Sequence, residues 1–158
     1  MATTIPCHYQ DPASEQTLRE GYAEYVHANP ELLDPDALGK AGRFFRAHDY
    51  GHVLFGCDTS VIHEALMDTW TIFGTTAGWR ELTDYYKDPQ QRAIIHDIVR
   101  QIGFLTFLWT LFAAAPRAFR VIRNTRKMTE KWPLYDHQQF LDVPLVELRR
   151  RFNIQVVR

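Results

Sequence analysis

Two imidazoles and two carboxylates stand at spacings suited to a metal ion: His48-Asp49-Tyr50-Gly51-His52, then eleven residues, then Glu64. Residues three and four apart share one face of an α-helix, so His48, Asp49 and His52 fall on one arc of roughly 100°. Glu64 must arrive from a second helix. Gly56 supplies a stop, and Asp58, Thr59 and Ser60 supply caps for a helix whose first two turns hold Glu64. Neutral imidazole nitrogen and carboxylate oxygen suit zinc, iron or manganese, and such a set leaves positions for water or substrate. Zinc makes a bound water acidic near neutral pH, whereas iron opens oxygen chemistry. The expected site is His48, Asp49, His52 and Glu64, as ligands of a divalent metal and as catalytic residues.

The competing reading leaves His48, Asp49 and His52 on a helix surface, with Asp49 paired to Arg46 or Arg43. The pattern is similar to the helical zinc-peptidase arrangement, but there a glutamate follows the first histidine as general base. The shorter Asp49 stands in that place here, which disfavours a peptidase. His96-Asp97 is a second histidine-aspartate doublet and invites comparison with HD-type phosphohydrolases; it is expected to be an exposed helical pair. His63 points about 100° away from Glu64 on a helix and is expected outside the ligand set. Cys57 has no histidine arranged as a base, and neither a Ser/His/Asp triad nor a glycine-rich phosphate loop can be assigned.

The elements that position these residues are helical. A chain of 158 residues with 46% hydrophobic and 23% charged residues suits one domain with a proper core. Two cysteines make no disulfide framework, and Met1-Ala2-Thr3-Thr4-Ile5-Pro6 has neither a basic start nor an apolar run. The expected setting is therefore reduced and cytoplasmic, with no signal peptide. Boundaries are marked by prolines and capping residues rather than by alternation, which predicts a single all-α domain over 1–158. Helices are expected over Ser14 to His27, Gly42 to Phe55, Ser60 to Thr76, and from Gln90 through Ile94, Ile98, Ile102 and Phe112 to a break or kink at Pro116. A turn is expected at Trp132 to Asp136, a short helix after Pro144 to Arg151, and extended chain over 154–157.

Ile102 to Ala115 carries no charge for fourteen residues, short of the roughly 20 that a membrane span needs. It reads first as a buried central helix, with a dimer face or the lining for an apolar ligand as alternatives. After it come Arg117, Arg120, Arg123 and Arg126 with Lys127 and Lys131, a broad basic face. Net charge is −7 over residues 1–115 (8 Lys/Arg, 15 Asp/Glu) and +6 over 116–158 (10 against 4). The basic end therefore suits phosphate head groups or an anionic membrane surface, nucleic acid, or the acidic half of its own fold.

The His48-Asp49-x-x-His52, eleven residues, Glu64 pattern resembles the HDxxH-x11-E signature of the coenzyme Q (ubiquinone) biosynthesis family numbered fourth in that pathway. Leu54-Phe55-Gly56, Thr59, Lys131-Trp132, Tyr135, Leu141, Leu145, Leu148-Arg149 and Phe152-Asn153-Ile154 are similar to that family's sequence, over roughly Gly39 to Ile154. The resemblance implies an all-α protein, zinc held by His48, Asp49, His52 and Glu64, and residence on the inner face of a membrane. It implies loss of the ring C1 carboxylate of a polyprenylated hydroxybenzoate with hydroxylation at that carbon, and a part in organising a biosynthetic complex. A prenyl tail would lie along Phe104, Phe107, Leu108 and Leu111, with Arg117 and Arg120 receiving a head group or carboxylate. The expected partners are this aromatic acid or another isoprenoid lipid, the membrane surface, proteins of the complex and a second copy of the chain, with no nucleic acid. A non-catalytic lipid-binding scaffold is the alternative, and an HD-like phosphohydrolase a weaker one.

Overall fold

Capping chemistry fixes the first helix, α1 (Leu18–Ala28): the Thr17 hydroxyl accepts the Glu20 N–H at 3.2 Å while the Glu20 carboxylate accepts the Thr17 N–H at 2.8 Å. At its other end the Asn29 side-chain amide donates to Tyr25 O at 2.7 Å. The computed structural model describes residues 7–32, 34–38, 42–87 and 89–157. The targeting-signal reading over residues 1–6, the Gly39 start of the family-like stretch, and the side chains of Ile94 and Ile98 lie outside the described residues. The remaining α-helices are α2 (Gly42–Phe55), α3 (Val61–Gly74), α4 (Trp79–Lys87), α5 (Pro89–Ile102), α6 (Phe104–Thr125) and α7 (Leu145–Phe152), with short 3-10 turns at Pro35–Leu38 and Leu134–Phe140. No strand forms among the described residues, so the chain is all-α, and 154–157 pairs with nothing as a strand.

α2 is the buried axis of the fold. It stops where Gly56 adopts φ +71°, a conformation that favours glycine; a Cβ there would also stand 2.8 Å from Val156 Cγ1. The chain re-enters helix at once, because Asp58 accepts the Ser60 N–H at 2.9 Å and the Ser60 hydroxyl accepts the His63 N–H at 3.4 Å. The resulting α2–α3 hairpin is closed by Phe55 stacked on Trp70, with centroids 4.4 Å apart and planes 9° from parallel. Gly51 sits at a close approach of the two helices, since a Cβ there would meet Met67 Cε at 2.3 Å. Val53, Leu54, Phe55, Leu66, Met67 and Trp70 are all buried in one core with Leu18, Val121, Trp132, Leu145 and Leu148.

α7 locks this core through Arg149. Buried, its guanidinium donates to Leu54 O at 2.9 Å, Val53 O at 3.0 Å, Tyr9 O at 2.6 Å and Asp11 O at 2.5 Å. One cation thus satisfies carbonyls at the C-terminus of α2 and ties the N-terminal segment to it. α7 ends with Asn153 in the left-handed conformation at φ 52°, and the Ile154 N–H returns to Arg149 O at 2.7 Å.

The long C-terminal-half helix departs from expectation in three ways. The break falls at Gly103, which takes φ +84° between α5 and α6, and α6 runs on through Pro116. Pro116 and Phe112 are both exposed residues, so the helical bond that Pro116 cannot donate is missing at the surface rather than in the core. The apolar stretch is not a buried central helix: Phe104, Leu105, Trp109 and Phe112 are 61%, 80%, 69% and 71% exposed, and the first α6 residue that is buried is Ala114. Finally, extension through Thr125 makes α6 long and apolar enough to cross a membrane, with 11% of its most apolar window buried. The fourteen uncharged residues alone fall short of such a length, and the helix reaches it by continuing to Thr125. The sequence also gave no warning of α4, a short amphipathic helix laid against α3.

Candidate metal centre

His48 and His52 lie one turn apart on α2, with ring centroids 4.8 Å apart, and both are buried, at 3% and 1% exposure. Aromatic rings hold them in place: Phe44 stacks on His48 at 5.8 Å and Tyr25 on His52 at 5.4 Å. The α2–α3 hairpin brings Glu64 up to them, placing Glu64 Oε1 3.4 Å from His52 Nε2. Each of His48, His52 and Glu64 offers a ligand atom, and these atoms all lie within 4.8 Å of one another. Two ligands about 2.1 Å from one ion lie roughly 3–4 Å apart, so the donors fit a divalent cation after a small side-chain rotation. Among the described residues His52 Nδ1 is buried without a hydrogen-bond partner, which leaves Nε2 as the atom engaged with Glu64.

The charges inside the centre are coupled. Burial opposes ionisation of Glu64, but His52 beside it holds the carboxyl below its ordinary range; Glu64 in turn raises His52 against the burial that would lower it. The Glu64 side chain is 35% exposed, so the centre opens to solvent on the α3 side. Asp49 differs. Burial pushes its carboxyl up to about 6 despite His48 and His52, and its Oδ1 accepts the Tyr25 hydroxyl at 3.4 Å. It does not join the three residues whose donor atoms converge. Nor is it paired to arginine: Arg46 bonds Asp36, and the Arg43 guanidinium lies 4.7 Å above the Tyr135 ring.

The other sequence candidates fall outside the centre. His63 Nδ1 lies 3.0 Å from both the Asp58 amide nitrogen and Asp58 Oδ1, so this ring caps the turn before α3. His96 and Asp97 are exposed on α5, their side chains 77% and 67% accessible. Cys57 is fully buried and burial raises its thiol, which leaves little thiolate for nucleophilic chemistry. Phe104, Leu108 and Leu111 are exposed on α6, Phe107 is half-buried and Arg117 and Arg120 follow them along the helix.

Two residues near the centre were not anticipated. Asp68 Oδ1 stands 3.9 Å from His48 Nε2, and Tyr86 of α4 donates its hydroxyl to Asp68 Oδ2. Asp68 follows Glu64 by four residues and could have been found by the same helical spacing that paired the histidines; Tyr86, on another helix, carries no such signal. No family model, curated protein or solved structure matches the chain.

Proposed function

We propose that the chain is a ubiquinone-biosynthesis-like, metal-dependent decarboxylase of a polyprenylated hydroxybenzoate, with the ion held by His48, His52 and Glu64. The convergence of these three donors within 4.8 Å, open on one side, carries the metal reading. The HDxxH-x11-E spacing supports the substrate class. A divalent metal in this place supplies a Lewis acid for a carboxylate, and a redox-active one also supplies access to oxygen chemistry.

In the oxidative form the C1–carboxyl bond breaks with loss of carbon dioxide and a C1–oxygen bond forms. Dioxygen, with two electrons and two protons from an external reductant, ends as the ring hydroxyl oxygen and water. The buried rings of Phe44 and Tyr25 exclude water from the inner side of the histidines, while the α3 side admits the substrate carboxylate. The exposed apolar face of α6 supports an isoprenoid tail or a bilayer as its neighbour. Leu105, Trp109, Phe112 and Phe119 recur at helical spacing, and the same stripe continues into exposed Arg123 and Arg126. Among the described residues Arg117, Arg120, Arg123 and Arg126 form no ion pair, which leaves them available to phosphate or carboxylate.

That same face favours the second reading, a lipid-binding scaffold in which the metal only fixes helix packing. Elemental analysis and lipid mass spectrometry of one preparation, followed by turnover assays with zinc, iron or manganese, separate the two. Catalysis predicts that His52→Ala and Glu64→Ala abolish turnover and metal uptake while the melting temperature falls only as far as chelation of wild type lowers it. Failure of any redox metal to support turnover ends the oxidative reading, and a metal-free wild type ends both.

A further inference from the structure

We infer that Asp68, oriented by Tyr86, is the fourth metal-binding side chain of this centre, and that Asp49 is a positioning residue that does not touch the ion. The inference rests on the metal reading above. Its basis is a two-rung register between α2 and α3: His52 faces Glu64 at 3.4 Å, and His48 faces Asp68 at 3.9 Å. The histidines are four residues apart, and so are the carboxylates. Each pair therefore rises about 6 Å along its helix, and the antiparallel hairpin sets one rung above the other. Asp68, like Asp49, stands outside the three donors that lie within 4.8 Å of one another, so an ion between the rungs draws it in by a side-chain shift, while Asp49, next to His48 in sequence, turns toward Tyr25.

Tyr86 makes Asp68 a ligand rather than a passing surface acid. Its hydroxyl occupies Asp68 Oδ2, which fixes the carboxylate plane and leaves Oδ1 directed at His48 Nε2. A carboxylate tied through one oxygen and presented through the other is the usual way a protein orients a metal ligand. The Asp68 side chain is 18% exposed, so α4 shields one flank without sealing the centre. The two carboxylates with two imidazoles leave further positions on a six-coordinate ion for substrate and water.

Titration of the full chain with zinc and with cobalt(II), for wild type, Asp68→Asn, Tyr86→Phe, Asp49→Asn and His52→Ala, tests this. Asp68→Asn is expected to weaken zinc binding about 100-fold and to shift the cobalt visible spectrum, and Tyr86→Phe to weaken it about 10-fold. Asp49→Asn is expected to keep the wild-type cobalt spectrum and to lose less than either. His52→Ala should abolish uptake. Wild-type affinity in both Asp68→Asn and Tyr86→Phe overturns the inference while leaving the His48–His52–Glu64 site standing. A changed cobalt spectrum in Asp49→Asn overturns the role given to Asp49. No uptake by wild type overturns the metal reading itself. If Asp68→Asn fails to fold by circular dichroism, Tyr86→Phe, which removes one partly exposed hydroxyl, decides.

Discussion

α2 and α6 invert the usual relation between polarity and burial. α2 carries two histidines and an aspartate, yet twelve of its fourteen residues are buried; α6 is far more apolar, yet among its 22 residues only Ala114, Val121 and Asn124 are. Burial here follows contact rather than composition. α2 is enclosed by α1, α3, α7 and the Leu134–Phe140 turn, which deliver Tyr25, Glu64 and Arg149 to its polar atoms. α6 meets α3 and α5 but buries only three of its residues, and Phe104, Leu105, Trp109 and Phe112 in its first turns stay exposed. A helix with donors inside suits a cation, and a helix with apolar side chains outside suits an apolar phase. The two halves of the proposed function, a metal centre and a lipid surface, fall on these two helices.

The comparison holds only if the polar interior of α2 is satisfied, and Arg149 is where that is most easily broken. Arg149→Met is expected to cost roughly 3–5 kcal/mol in denaturant unfolding, since buried carbonyls of Val53, Leu54 and Tyr9 lose a charged donor at about 1–3 kcal/mol each. A loss under about 1 kcal/mol would mean that water replaces the guanidinium and that α2 is less enclosed than its burial indicates. Gly51→Ala should cost less, about 1–2 kcal/mol, because the new methyl meets the flexible end of Met67. As this change pushes α3 from α2, it should also weaken zinc binding; unchanged zinc affinity would show that the hairpin spacing does not set the site.

Much of this could be read from the sequence because the relevant signals are local. The span of α2 and the turn through Gly56 to Ser60 depend on spacing and caps within a few residues, and they place His48, His52 and Glu64 correctly. Asp49 shows the limit. Helical spacing puts it on the arc of the histidines, but Tyr25, which takes up its carboxylate, comes from 24 residues away. The exposure of α6 was illegible for the same reason. Fourteen uncharged residues look alike whether a core or an external phase covers them, and the break between α5 and α6 falls at Gly103, with its positive φ. Arg149 entered only through the family-like Leu148-Arg149 pair; as one of three successive arginines, its hold on the α2 carbonyls depends on the side of α7 it occupies.

A smaller effect tests how α1 holds the N-terminal segment. Glu24 accepts the His8 and Tyr9 N–H groups at 2.9 and 3.1 Å and the Gln16 amide at 3.2 Å. Burial opposes its ionisation, but these donors outweigh burial and hold the carboxyl below its ordinary range. Its folded pKa being depressed, its contribution is complete above the unfolded value near ~4.3 and fades as pH falls through the folded one. Glu24→Gln should therefore cost about 1 kcal/mol at neutral pH, and the difference from wild type should shrink on acidification. A difference that stays constant from neutral to acid would assign the effect to shape rather than charge.

The smallest expected stability change is the sharpest test of α6. Trp109 and Phe112 are 69% and 71% exposed, so little of their surface leaves water on folding, and Trp109→Ser with Phe112→Ser should change unfolding by less than about 0.5 kcal/mol. If the proposed lipid surface is right, the same pair should sharply reduce flotation with anionic phosphatidylglycerol vesicles, since it removes two exposed apolar side chains from the stripe. Arg123→Gln with Arg126→Gln should weaken that association mainly at low salt, because their attraction to the surface is screened within a Debye length of about 8–10 Å. A large stability loss in the serine pair, with unchanged vesicle binding, would mean that α6 packs against protein, and the inversion between the two helices would then belong to an assembly of chains rather than to a lipid surface.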